Sequence, residues 1–115
     1  MTPQEETKVY IANAFSIQML ETTEATVRFK KVPIETVKQL LQTNKVESAI
    51  GHEATAKYLS ELLSIPISAN RISIKLQPGG KLIIFQLKGG RISGELTYEL
   101  IKNMPYEFWL VEVLA

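Results

Sequence analysis

One histidine, His52, is present in the 115 residues, in the run Ser48-Ala49-Ile50-Gly51-His52-Glu53-Ala54-Thr55. A glycine ahead of a polar cluster presents a side chain more readily than it buries one. The ordinary histidine pKa, about 6.5, lets the ring give or take a proton near neutral pH. A single histidine is more often structural than chemical, so what gathers around it decides its meaning. His52 and Thr55 fall at the start of a helical pattern, where free N–H groups and the helix dipole favour an anion. Asn13 and Ser16 follow a first strand pattern, and Asn70 and Arg71 open another. Gln86, Lys88 and Arg91 stand at the end of a further one. One titratable ring, a few cations, and amide or hydroxyl donors suit a phosphodiester. Cations and amides hold the phosphate oxygens, and an imidazole can protonate the departing oxygen. Each cluster also has a plainer reading: Asn13 as a strand terminator, Arg71 as a solvated cation, Gly89-Gly90 as a turn.

The elements that must position these residues follow from hydrophobic periodicity. Lys8–Ala12 is β-prone, and Thr26–Lys30 alternates in polarity as a half-exposed strand does. The stretch between them is a loop whose Phe15, Ile17, Met19 and Leu20 should pack down. Pro33 suits a helix's first turn, and Ile34, Val37, Leu40 and Leu41 continue it at helical spacing. A second helix runs from about Gly51 to Leu63, before Pro66. Arg71–Leu76 alternates with Ile72, Ile74 and Leu76 on one face. With the Pro78-Gly79-Gly80 turn, it predicts an antiparallel pair with Lys81–Leu87. Thr97 caps a short helix through Asn103, and Phe108–Val113 forms a last strand. The order β-β-α-α-β-β-α-β predicts an α/β (α+β) domain spanning 1–115, a mixed sheet of about five strands with helices packed on it. Residues 1–7 read as a disordered tail.

Composition narrows the chemistry. Thirteen basic residues against twelve acidic ones leave a net charge of +1, which argues against a long nucleic acid as partner. The absence of cysteine removes disulfides, Cys-based zinc sites and thiol nucleophiles. One histidine with scattered carboxylates argues against a transition-metal site, so neither metal nor cofactor is expected. No run reaches the roughly 18–20 apolar residues needed to cross a bilayer, and the acidic first residues lack a secretory layout. The expectation is a cytoplasmic protein without membrane association. Gly89-Gly90-Arg91-Ile92-Ser93-Gly94 fits neither a P-loop nor a dinucleotide fingerprint.

Four runs together carry a family resemblance: Val9 to Ile17, Ser48 to Thr55, Asn70 to Lys75, and Tyr106-Glu107-Phe108-Trp109-Leu110. They resemble the viral ring nucleases, small anti-CRISPR proteins directed against type III systems. The resemblance implies a homodimer whose two copies build one site for cyclic tetra-adenylate. It implies metal-independent cutting of that ring to linear di-adenylate with a 2′,3′-cyclic phosphate. His52 then corresponds to the general acid that protonates the departing 5′-oxygen. Arg71 and Arg91 match ligand-binding arginines, and Asn13, Ser16, Thr55 and Gln86 stand with the ring contacts. The family's arginine is usually followed within about three residues by Glu-Gly, whose glutamate assists catalysis. Here Lys88-Gly89-Gly90-Arg91-Ile92-Ser93-Gly94-Glu95 shifts the arginine by one position, and Glu95, across Gly94, is the stand-in. A module that binds or sequesters a cyclic oligonucleotide with little turnover is the alternative, and a structural or DNA-binding viral protein is a third reading.

Overall fold

The computed structural model describes residues 8–88 and 97–114. The elements are β1 (Lys8–Ala12), β2 (Val27–Val32), α1 (Ile34–Thr43), β3 (Lys45–Ser48), α2 (Glu53–Leu63), β4 (Lys81–Leu87), α3 (Tyr98–Lys102) and β5 (Tyr106–Val113), with one 3-10 turn at Ile17–Met19. They form one five-stranded mixed sheet, ordered β2-β5-β4-β1-β3. β1 is parallel to both β3 and β4, whereas β5 runs antiparallel to β4 and β2. The α+β class and the five-stranded mixed sheet match the sequence-based expectation.

All three helices contribute to one face of the sheet. Val37 and Leu41 of α1, Leu59 and Leu63 of α2, and Ile101 of α3 close over Val9, Ile11, Ile83, Phe85, Phe108 and Leu110. These strand residues alternate, so every second side chain of β1, β4 and β5 reaches the helix layer. Phe85 sits at its centre, with ring centroids 5.5 Å from both Tyr106 and Phe108. Each fully buried side chain of this size contributes roughly 1.5–3 kcal/mol. The other face, with Ala12, Leu82, Ile84, Val111 and Val113, is covered by irregular chain. Ile74 and Leu76 lie on it beside Phe15, Met19 and Leu20.

Two expected features are corrected. Arg71–Leu76 is not a strand paired with β4. Both ladder edges of β4 are already occupied, by β1 and by β5, and no edge remains for it. Its alternation is nevertheless a true burial pattern, since Ile74 and Leu76 are buried while Ser73 and Lys75 are exposed. The Leu76 N–H donates to the Met19 carbonyl at 2.6 Å, tying the segment to the 3-10 turn across the sheet face. In its place β3 supplies the fifth strand. Lys45-Val46-Glu47-Ser48 has one strong β-former and forms because α1 delivers it beside the open edge of β1. The observed order is therefore β-β-α-β-α-β-α-β.

Smaller devices fix the connections. Gly79, at φ +92°, turns the chain into β4, and the Gly80 N–H donates to the Gln77 carbonyl at 2.7 Å. Thr97 caps α3 through the Leu100 N–H at 3.3 Å, as its sequence position predicts. Beyond β4, the Lys88 N–H donates to the Pro105 carbonyl at 2.8 Å. The Lys31 ammonium lies 2.9 Å from the Glu107 carboxylate and that of Lys88 lies 3.5 Å away, so one glutamate joins β2, β5 and the end of β4. No helix among the described residues is long and apolar enough to cross a membrane. Among the described residues, Ser48 and Thr55 are the buried polar side chains. Thr55, wholly buried in the first turn of α2, has no hydrogen-bond partner for its hydroxyl among the described residues.

Two outcomes follow for stability. The hydrogen bond from Lys31 holds the Glu107 carboxyl below the usual glutamate range; partial burial opposes this, and the Lys31 and Lys88 charges reinforce it. A carboxyl with a depressed folded-state pKa stabilises fully above its ordinary value of 4.5, and that contribution is lost as pH falls through the lower folded value. Glu107→Gln should lower the melting temperature at neutral pH and flatten its decline on acidification, read by calorimetry across that range. Thr55→Val removes a buried hydroxyl that makes no hydrogen bond among the described residues while keeping the side chain's shape. It should stabilise the ligand-free protein by about 1 kcal/mol in urea unfolding.

Candidate active site

Because β1, β3 and β4 run in one direction, their carboxyl ends lie at the same end of the sheet. Loops at such an end, held by a rigid ladder, are where α/β proteins commonly build ligand sites. Asn13, half-buried, follows β1 directly, and Ser16 begins the 3-10 turn. Gln86 lies within the last residues of β4, on the face covered by irregular chain. The run Ala49 to His52 leaves β3 and enters α2.

His52 is the N-cap residue of α2. Its backbone is extended, its carbonyl accepts from the Ala56 N–H at 3.0 Å, and its side chain makes no capping bond. The ring is exposed and is not spent on the helix terminus. The first-turn N–H groups therefore keep their positive end of the dipole, partly offset by Glu53 in that turn.

Arg71 comes to this place from twenty residues away. Its Nε donates to the Gly51 carbonyl at 3.3 Å. A β-carbon on Gly51 would sit 3.8 Å from both Cγ and Nε of Arg71, so the arginine stem lies over this glycine. Among the described residues the guanidinium has no carboxylate partner. Its remaining N–H groups present a fork suited to phosphate oxygens, on the carbonyl of the residue that precedes the exposed His52.

The chain is drawn into this geometry by hydrogen bonds that the sequence did not advertise. The Ala49 N–H donates to the Ile11 carbonyl at 2.8 Å, extending the β1–β3 ladder by one step. Ile50 then bridges Ala69 in parallel, and the Asn70 N–H donates to the Ile50 carbonyl at 2.8 Å. The Ser48 hydroxyl donates to the Ser68 carbonyl at 2.6 Å and accepts from the Ile50 N–H at 3.2 Å. Asn70 Nδ2 donates to the Ser48 carbonyl at 3.0 Å. Ser48 and Asn70 are 22 residues apart, and no local pattern marks them as partners.

The other expected site residues divide. Ser16 accepts from the Gln18 N–H at 3.3 Å and so organises its own turn, while its side of the turn also lines a cavity of about 250 Å³. That cavity, which the sequence did not reveal, is walled by Gln18 and Met19 on one side and by Ile72, Ile74 and Lys75 on the other. It adjoins Arg71 through the chain itself. Gln86 is exposed, and its amide donates to the Leu87 carbonyl at 3.0 Å. Thr55 was expected among the ligand contacts, yet it is wholly buried and lies beneath the surface of α2 rather than on it. Arg91 and Glu95 lie outside the described residues.

Comparison with known proteins supports this fold from a second direction. Protein 26 of Sulfolobus islandicus filamentous virus (isolate Iceland/Hveragerdi) is 36% identical over 109 residues, covering 93% of this chain and 92% of its own. Protein YddF of Bacillus subtilis (strain 168) is 30% identical over 101 residues, covering 85% of this chain and 94% of its own. The solved structure of B116 of Sulfolobus turreted icosahedral virus (STIV) superimposes with a TM-score of 0.72 at 27% identity, over 91% of this chain and 98% of that one. The model of the STIV B116-like family matches residues 9–108, taking in every element from β1 into β5. With viral relatives of this similarity and a family match across nearly its whole length, the chain belongs to the STIV B116-like family.

Proposed function

We propose that this protein is a metal-independent ring nuclease that opens cyclic tetra-adenylate, and so silences type III CRISPR signalling as an anti-CRISPR. The observation that carries the reading is the bond from Arg71 Nε to the carbonyl of Gly51, the residue just before the exposed His52, made by a guanidinium with no carboxylate partner among the described residues. An arginine for the phosphate and an imidazole for the leaving oxygen are what in-line transesterification asks of a protein. The substrate brings its own nucleophile. A ribose 2′-oxygen attacks the adjacent phosphorus, the bond from phosphorus to the 5′-oxygen breaks, and a 2′,3′-cyclic phosphate forms. The 2′-hydroxyl proton leaves to solvent, and His52 donates a proton to the departing 5′-oxygen. Arg71 offsets charge that grows on the non-bridging oxygens. Cutting at two opposite linkages yields two linear di-adenylates, which suits a homodimer with one His52 per copy. Asn13, Ser16 and Gln86 contribute polar contacts around the ring, Arg91 joins them as a substrate-binding residue, and Glu95 assists catalysis. The cytoplasm of the cell that makes the messenger is where the enzyme works.

Labelled cyclic tetra-adenylate, incubated with the protein in EDTA, should be converted over multiple turnovers to di-adenylate. A ring that is bound and returned intact would instead favour a sequestering module. His52→Ala should keep ring binding within about threefold and lose at least a hundredfold in single-turnover rate, in line with the usual worth of a general acid. An unchanged rate would remove His52 from the reaction. Arg71→Ala should weaken ring binding by about tenfold to a hundredfold, as expected for a charge-assisted phosphate contact. Calorimetric titration on the His52→Ala background, where the ring survives, gives that affinity directly.

A further inference from the structure

We propose that Ser48 and Asn70 form a positioning clamp that sets the distance between His52 and Arg71, an inference that deepens the phosphodiester reading and rests on it. His52 belongs to the chain leaving β3, whereas Arg71 belongs to a segment that is in no strand. Nothing in the sheet ladder fixes one to the other. The segment from Ser68 to Asn70 is instead pinned to residues 48–50 by three hydrogen bonds. One runs from the Ser48 hydroxyl to the Ser68 carbonyl at 2.6 Å, and that hydroxyl is itself held in place by accepting from the Ile50 N–H at 3.2 Å. The other two come from Asn70, its backbone N–H to the Ile50 carbonyl at 2.8 Å and its Nδ2 to the Ser48 carbonyl at 3.0 Å. The next residue on one strand of the clamp is Gly51, whose carbonyl receives Arg71 Nε, and the next on the other is Arg71 itself.

The clamp also has the right stiffness. Ser48 is 8% exposed, so water competes poorly for its hydroxyl. Its carbonyl side is anchored further, because Ile11 pairs with Ser48 and the Ala49 N–H donates to the Ile11 carbonyl. A displacement of Arg71 relative to His52 must therefore break bonds to a buried, ladder-tied residue. Neither Ser48 nor Asn70 needs to touch the ring. Both act through Arg71.

A double-mutant cycle tests this with cyclic tetra-adenylate as probe, on the His52→Ala background so that the ring stays intact. Asn70→Ala should weaken ring binding about tenfold when Arg71 is present and less than twofold when Arg71 is alanine. Equal losses in both backgrounds, or no loss in either, would overturn the clamp. Asn70→Asp, which keeps the backbone bond and the side-chain size but loses the Nδ2 donor, repeats the measurement should alanine impair folding. A ligand-free readout separates the clamp from the functional reading. The Arg71 Nε–H resonance should be protected from solvent exchange in the unaltered protein and in Ser48→Thr, and lose protection at least tenfold in Ser48→Ala. Protection that survives Ser48→Ala would refute the clamp. Failure of the ring to bind the His52→Ala protein would instead refute the phosphodiester reading, with the resonance still deciding the clamp.

Discussion

β1 is the constraint on which the structure depends. It is a central strand of five residues, with a parallel partner on each side, β3 along Lys8–Ile11 and β4 along Val9–Ala12. Parallel pairing requires crossovers, and α1 and α2 lie within the connections that join β1, β3 and β4, both on the same face. That arrangement brings Val37, Leu41, Leu59 and Leu63 onto Val9 and Ile11. It also carries three strand ends to one place. Remove the parallel pairing and neither the helix layer nor the candidate site has a reason to exist where it does.

Much of this was legible because it is periodic. The α2 pattern of Leu59, Leu62 and Leu63 and the run Lys81–Leu87 depend on burial by near neighbours, which leaves a repeating mark in sequence. Thr97 and Pro33 marked helix starts through local chemistry that needs no partner. Two elements were not legible for the opposite reason. β3 is four residues with no strong alternation, and it exists because β1 offers an edge. Arg71–Leu76 carries a sound alternation, but alternation reports which side chains are buried and is silent on where the backbone hydrogen bonds go. With β4 saturated on both edges, the segment buries Ile74 and Leu76 as an irregular strap.

The candidate site divides along the same line. His52, Asn13 and Ser16 could be singled out because each sits beside an element boundary visible in sequence. That Arg71 reaches Gly51 could not be seen, since it depends on the bonds from Ser48 and Asn70 across 22 residues. Thr55 is the converse case. Its place in the first turn of α2 suggested a ligand contact, but the turn's rotation sends it inward with Ala56 and Leu59. Helix phase decides this, and the N-cap had to be located at His52 before the phase could be counted.

The bond from the Lys88 N–H to the Pro105 carbonyl, taken with the Thr97 cap, has a consequence for how this chain can diverge. Residues 88 and 97 are each secured by contacts made outside the stretch between them, to the turn before β5 and to α3. Position 97 is therefore held to residues that carry a capping oxygen, whereas position 105 contributes only its carbonyl and admits any side chain that the turn before β5 accepts. One anchor constrains sequence and the other constrains only the path of the backbone.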